Sequence, residues 1–342
     1  MVSLRKILIL FLIFISSIGV SLVILEAALS FGIIKTRFHD RLAVSGELSN
    51  PKCKIFILGD SFACCIHHFL LSQLSPYRVS VLNAATSGAG PFEYAMDMKT
   101  QGINFKPDVT ILFYYVGNDL TGVQSELKKS GVYGNLKRNF IKRLHLYRLY
   151  KETKNTLFPK AFNYKKFSAY GIKSESIALA KSGKLNPWLL EASVKDKDYL
   201  ADNILIETKD SMIAWEKTKE LLCEIKELCN KINSQFVIII FPSTVQVDRS
   251  HYVFYKNLGF NIDERMLFSD KPQRLLKDFC NDNNIAYLDL LAHFKREGQT
   301  DLYSENDDHL NKIGNAFSTK IITNFLLKNT ILGDDLYKIK TN

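Results

Sequence analysis

Two uninterrupted apolar runs constrain this chain more than any other feature. Residues 111–116 read Ile-Leu-Phe-Tyr-Tyr-Val, and residues 236–241 read Phe-Val-Ile-Ile-Ile-Phe. Successive side chains of a strand point to opposite faces, so a half-solvated strand alternates apolar and polar residues. A strand that is apolar at every position must be covered on both faces. Further strand candidates lie at 54–58, 77–82 and 285–288, and the two long runs extend to 109–116 and 235–241. Helical spacing fills the intervals. The clearest case is 211–233, where Leu221, Leu222, Ile225, Leu228, Cys229 and Ile232 share one face. Another helix follows Pro272, a residue suited to a first turn, and a last one begins near Leu310. Alternating β and α elements predict an α/β fold with a five-stranded, mostly parallel sheet between two helix layers.

The N-terminus carries a different signal. Arg5 and Lys6 precede residues 7–25, which hold no charge, proline or asparagine. About 19 residues at about 1.5 Å each span roughly 29 Å, close to a bilayer's hydrocarbon thickness. A buried core helix would show a polar face, and here only Ser and Gly interrupt the run. Basic residues ahead of it predict a cytoplasmic N-terminus, with everything after Glu26 outside. The small residues of Ala27-Ala28-Leu29-Ser30 suit signal cleavage, but the run exceeds the usual signal core. An uncleaved single-pass anchor over 1–34 is therefore expected, followed by one domain over 50–330 and a tail at 331–342.

Charge divides that domain. The chain's net charge is +10, and residues 120–206 hold 17 Lys/Arg against 7 Asp/Glu, which accounts for all of it. This stretch has no strong strand and reads as a basic, partly helical insert. Within it, 136–155 places Leu136, Phe140, Leu144 and Tyr147 on one face and basic residues around the other. Such a helix suits an anionic membrane surface or an anionic polymer, and equally a helix docked on the domain with solvated lysines. Nucleic acid is not expected as a partner, because the segment is predicted to lie outside the cytoplasm. The six cysteines show no CxxC and no regular spacing, so most read as small buried residues, with one disulfide open.

In open α/β sheets, ligands bind at the carboxyl ends of the strands. Gly59-Asp60-Ser61-Phe62 follows the first strand, a loop containing Gly88 and Gly90 follows the second, and Gly117-Asn118-Asp119 follows the third. Asp307-Asp308-His309 lies nearly 250 residues beyond Ser61. A serine hydroxyl is a weak nucleophile unless a base takes its proton and an acid orients that base. Acyl transfer also needs donors around the developing oxyanion: the Ser61 N–H, a glycine N–H and the Asn118 amide are candidates. Taken singly, these pieces are ordinary turn and cap sequences; their order and placement are not.

Together they resemble the SGNH (also called GDSL) hydrolase superfamily, whose blocks match Gly59-Asp60-Ser61, the loop around Gly88, Val116-Gly117-Asn118-Asp119 and Asp307-Asp308-His309. The resemblance covers about residues 54–326. It implies a flavodoxin-like three-layer α/β/α fold with Ser61 as nucleophile, His309 as general base and then acid, and Asp307 orienting the imidazole. It also implies an oxyanion hole of Ser61, Gly88 and Asn118. Many members place the acid three residues before the histidine, where this chain has Asn306; Asp307 is the choice here, and Asp308 is expected to point elsewhere. Phe241-Pro242-Ser243-Thr244-Val245-Gln246-Val247 is also similar to a loop of membrane-anchored relatives that handle bacterial polysaccharides.

The implied function is a membrane-anchored serine esterase or acyltransferase acting on O-acyl, foremost O-acetyl, groups of a cell-envelope or exported polysaccharide, with the polysaccharide-synthesis machinery as a further expected partner. The alternatives are a lipid-directed esterase and an inactive polysaccharide-binding or assembly protein. No cofactor or metal is expected. Neighbouring His67 and His68 cannot face one ion from a helix, no third ligand stands at a useful spacing, and no phosphate loop is present. Asp119 and Asp289 read as structural hydrogen-bonding groups, and His251 as a histidine without companions.

Overall fold

Each apolar run became a strand, and the first three strands end where the candidate functional segments begin. The computed structural model describes residues 4–30, 51–129, 145–157, 161–296 and 302–333. The strands are β1 (Cys53–Gly59), β2 (Val79–Asn83), β3 (Val109–Tyr115), β4 (Gln235–Phe241) and β5 (Ala286–Asp289). They form one sheet in the order β2-β1-β3-β4-β5. All four pairings are parallel, with Ile55 opposite Val109 and Gly59 opposite Phe113 between β1 and β3. The second predicted strand starts two residues later than expected, because Ser75–Tyr77 forms a 3-10 turn and Arg78 takes a left-handed φ of 51°.

The principal helices in chain order are α1 (Leu4–Ser30), α2 (Ser61–Leu74), α3 (Pro91–Asp97), α4 (Asp119–Lys128), α5 (His145–Leu157), α6 (Tyr164–Ala169) and α7 (Ser174–Lys181). Then follow α8 (Pro187–Lys195), α9 (Tyr199–Ile204), α10 (Lys209–Lys231), α11 (Thr244–Val247), α12 (Arg249–Asn257), α13 (Lys271–Asp282), α14 (Leu291–Arg296) and α15 (Lys312–Lys328). One sheet face buries Ile55, Ile57, Val81, Ile111, Val237 and Ile239 against Ile66 and Leu70 of α2 and Ile322 and Leu326 of α15. The alternate residues Phe56, Leu58, Leu112, Ile238 and Ile240 are also buried, on the opposite face. There α10 lies against β4, and α3 against β1. This is the α/β/α sandwich that the uninterrupted apolar runs demanded.

The chain divides into two compact units, residues 1–42 with 130–161, and residues 43–129 with 162–342. The first unit holds α1 and α5. Helix α1 contains a 19-residue apolar stretch, Phe11–Leu29, long and apolar enough to cross a membrane. At its end the Glu26 carboxylate accepts the Leu146 N–H at 2.9 Å, at the start of α5. Of the basic helix expected over 136–155, the part before His145 lies outside the described residues. The second unit holds the whole sheet, and α6 to α9 belong to it.

Candidate active site

Strand order decides which side chains can meet. The direction of chain progression reverses between β1 and β3, and this switch point opens a crevice at their carboxyl ends. Gly59 makes the turn out of β1. A Cβ there would sit 2.6 Å from the Ala63 Cβ, so any larger residue would push α2 off the strand. Asp60, fully buried, caps α2 by accepting the Phe62 N–H at 2.9 Å. Ser61 is the first residue of that helix and is half-buried.

From the neighbouring strand, Asn118 enters the same crevice. Its Nδ2 donates to Asp60 Oδ2 at 2.7 Å. That bond fixes which way the amide faces, because a carboxylate only accepts. Burial lifts Asp60 to about 6, against the opposing pull of the Asn118 amide and the Phe62 N–H. Asn118 is itself held from below. Asn203 of α9 donates to Gly117 O at 3.1 Å and to Thr121 Oγ1 at 2.8 Å, and accepts the Thr121 N–H at 3.1 Å. Asp119 is structural as expected, taking the Tyr94 hydroxyl at 2.7 Å and the Tyr115 N–H at 3.0 Å. Asp289 likewise accepts the Leu291 N–H and pairs with Lys277.

Gly88 lies in the loop after β2. The Ala89 N–H bonds to Thr86 O at 2.9 Å, and Gly88 occupies the turn's third position with φ +69°. A positive φ there is the reason for glycine. The Thr86 N–H bonds to Gly59 O at 3.1 Å, tying this loop to the β1 elbow.

The C-terminal loop brings the histidine. Tyr303 and Leu310 form an antiparallel bridge, the Ser304 N–H bonds to His309 O at 2.9 Å, and the buried Tyr303 hydroxyl donates to Pro242 O at 3.2 Å, at the end of β4. Asn311 caps α15 through the Gly314 N–H at 2.9 Å. Gly314 is required, since a Cβ would lie 2.0 Å from Leu302 O. His309 thereby stacks on Phe62, the neighbour of Ser61, with ring centroids 5.5 Å apart and planes 22° from parallel. Phe62 in turn stacks on Tyr115 at 3.9 Å. Among the predicted residues, the fold brings Asn118 beside the Ser61 elbow and His309 against Phe62.

Asp307 Oδ1 lies 3.0 Å from His309 Nδ1. Contrary to expectation, Asp308 does not point away: its Oδ1 is 3.1 Å from the same nitrogen. The cause is local, because the Asp308 N–H bonds to Asp307 Oδ1 at 2.8 Å and folds the tripeptide back on itself. Burial pulls the imidazolium down, but the hydrogen bond with Asp307 and the charges of both carboxylates outweigh it and raise His309 to about 11. Burial acts to raise Asp307, yet its bonds with His309 and Asp308 bring it down to about 2, while burial lifts Asp308 above the ordinary carboxylate range. His251 also departs from expectation, because Asp248 Oδ2 lies 3.5 Å from its Nδ1. All six cysteines are free thiols.

No family model matches the chain, and neither does any curated protein. Among solved structures it is similar to the acetyl xylan esterase AlAXEase at 13% identity and TM-score 0.40, covering 79% of this chain and 98% of that one. It is also similar to a catalytic mutant of Axe2, an acetylxylan esterase from Geobacillus stearothermophilus (9%, TM-score 0.45, 81% and 95% covered). A third is a GDSL-like lipase from Bacteroides thetaiotaomicron VPI-5482 (9%, TM-score 0.42, 86% and 97% covered). At these scores, what the site does must be read from this chain's own side chains.

Proposed function

We propose that this chain is a membrane-anchored serine esterase or acyltransferase, acting on O-acyl, foremost O-acetyl, groups of a cell-envelope or exported polysaccharide. The observation that carries the reading is His309, with Asp307 on its Nδ1 and its ring against Phe62, the residue after Ser61. Ser61 Oγ attacks the acyl carbonyl, and His309 Nε2 takes the hydroxyl proton. Asp307 holds Nδ1–H, which orients the ring and stabilises the imidazolium that forms. The carbonyl oxygen becomes an oxyanion among the Ser61 N–H, the Gly88 N–H and the Asn118 amide. An amide nitrogen carries two hydrogens, so Asn118 can hold Asp60 with one and donate the other. The intermediate collapses as His309 returns the proton to the departing sugar oxygen. The acyl-serine then passes to water or to a sugar hydroxyl, and the two outcomes differ only in the acceptor that enters.

The anchor reading rests on α1. Its side chains from Phe11 to Ile24 are largely exposed, as a lipid-facing helix requires. A cleaved signal would lose the carboxylate that Glu26 offers to the start of α5. With Arg5 and Lys6 ahead of the span, the catalytic unit lies on the extracytoplasmic side.

Labelling with a fluorophosphonate tests the chemistry. Wild-type chain should be labelled and Ser61→Ala should not. Equal labelling of both, or none of the wild type, removes the esterase.

A further inference from the structure

Beyond the acyl site, the second unit has a groove of about 440 Å³ between α4 and α8, lined among others by Thr121, Gln124, Lys128, Trp188, Glu191 and Tyr199. That volume falls in the range of roughly 300–1,000 Å³ usual for small-molecule sites. Its inner end adjoins the candidate active site. Thr121 follows Asn118 by three residues, and its hydroxyl bonds to Asn118 O at 3.0 Å. Burial, and after it the carboxylates of Asp308, Asp60 and Asp119, push the Tyr199 phenol up. Thr121 thus belongs both to the groove wall and to the hydrogen bonds that hold Asn118.

The lining says what kind of chain. Trp188, in the first turn of α8, is 52% exposed, although large apolar rings normally turn inward. Phe162 meets it edge-on, with centroids 5.3 Å apart and planes at 89°, so the indole is braced as a platform. An aromatic face is negative, and the C–H face of a sugar ring is weakly positive and flat enough to stack on it. Around the platform stand Thr121, Gln124 and Ser125, which suit hydroxyl groups and not an acyl chain. The charged side chains of the lining and their partners sum to zero, the two lysines on Glu191 being offset by the further carboxylate of Asp196. Lys128 meets Asp210 at 3.2 Å, Lys129 meets Glu126 at 2.9 Å, and Glu191 takes Lys166 at 3.1 Å and Lys195 at 3.6 Å. A uronic-acid polymer would therefore meet no net positive charge there.

We propose that this groove binds a neutral, hydroxyl-rich glycan chain, with Trp188 as its stacking platform, and so feeds glycan esters to Ser61. The link to an ester rests on the esterase reading; glycan binding by the groove does not. The test uses the full chain in a detergent without a sugar headgroup, on an array of immobilised neutral and uronic-acid oligosaccharides. Wild type should be retained by neutral chains in preference to anionic ones. Trp188→Ala should lose roughly tenfold or more in affinity, as truncating a central aromatic anchor does. Trp188→Phe keeps a smaller ring and should retain partial binding, which keeps the claim testable should the alanine variant fail to fold. Phe268→Ala, an exposed aromatic outside the groove, should bind like wild type. Retention unchanged in Trp188→Ala, preference for uronic chains, or no retention anywhere on the array overturns the proposal. Glycan retention without fluorophosphonate labelling would remove the esterase and keep the groove; labelling without retention would do the reverse.

Discussion

Among the described residues two histidines stand beside aspartates, and they differ in nearly every respect that matters for catalysis. His309 follows Asp307 by two residues and has that carboxylate at 3.0 Å on Nδ1, with the side chain 24% exposed at the strand ends. His251 follows Asp248 by three residues, lies 3.5 Å from it and is 4% exposed. Asp248 has already committed its oxygens to capping α12, accepting the Ser250 N–H at 2.8 Å and the Ser250 hydroxyl at 2.7 Å. Rings of Phe254, Tyr255 and Tyr303 surround His251, and neither of its nitrogens has a hydrogen-bond partner among the described residues. An acid close to a histidine is therefore not yet a relay. A relay needs a carboxylate free to take Nδ1–H and an Nε2 that substrate can approach.

The largest effect should separate the two pairs outright. Ser61→Ala and His309→Gln should each lower kcat/KM for p-nitrophenyl acetate by at least about 10³-fold, the scale seen when a nucleophile or base is removed from such a relay. His251→Phe should leave that rate within about twofold. A collapse of activity in His251→Phe would reverse the assignment.

The next comparison lies inside the first pair. Asp307 has hydrogen-bond geometry to His309, whereas Asp308 Oδ1 is close but is left without a hydrogen bond. Asp307→Asn should cost on the order of 10²–10⁴ in rate, because an amide favours the wrong tautomer of the imidazole. Asp308→Asn should cost about tenfold or less at its own optimum pH, measured on the same ester. If the order inverts, Asp308 is the orienting acid.

Much of this was legible in the sequence for one physical reason. Strands covered on both faces cannot hide their pattern, so 235–241 was placed without error and the other four strands within about two residues. The candidate site was legible because crevices open where strands end, and Ser61, Gly88 and Asn118 each follow one. What the sequence withheld were contacts set by strand order and chain reversal. The Asp60–Asn118 bond requires β1 and β3 to be neighbours, although β2 lies between them in the chain. Asp308 reaches His309 only because a backbone bond to Asp307 turns the tripeptide. Asn203, which clamps the Asn118 loop, lies in a stretch where basic residues dominate the pattern and a buried amide leaves no mark.

A smaller effect should appear in pH dependence. The carboxylates that raise His309 keep its imidazole protonated through neutral pH, and only the neutral ring can accept the Ser61 proton. The rate of ester cleavage should thus keep climbing with pH well above the ordinary histidine value of about 6.5. Asp308→Asn removes one of the charges holding the proton on, so its activity limb should move to lower pH. The sign for stability is opposite. A group raised in the folded state stabilises it most below its unfolded value, and that contribution fades as pH rises toward about 11. A wild-type limb near 6.5 that does not move in Asp308→Asn would mean the second carboxylate exerts no hold on the ring.

The smallest effect concerns the silent pair. Burying a polar group without a partner is unfavourable, and His251 buries two such nitrogens in an aromatic surround. Phenylalanine has nearly the same shape and nothing to satisfy, and replacing an unpartnered polar group in this way returns on the order of 1 kcal/mol. His251→Phe should therefore raise the melting temperature by about 2–4 °C. His309→Phe should not behave alike, because its removal leaves the Asp307 and Asp308 carboxylates half-buried beside each other without the cation between them. A drop in melting temperature for His251→Phe would mean that its nitrogens are engaged in the folded protein. The two pairs would then differ in degree and not in kind.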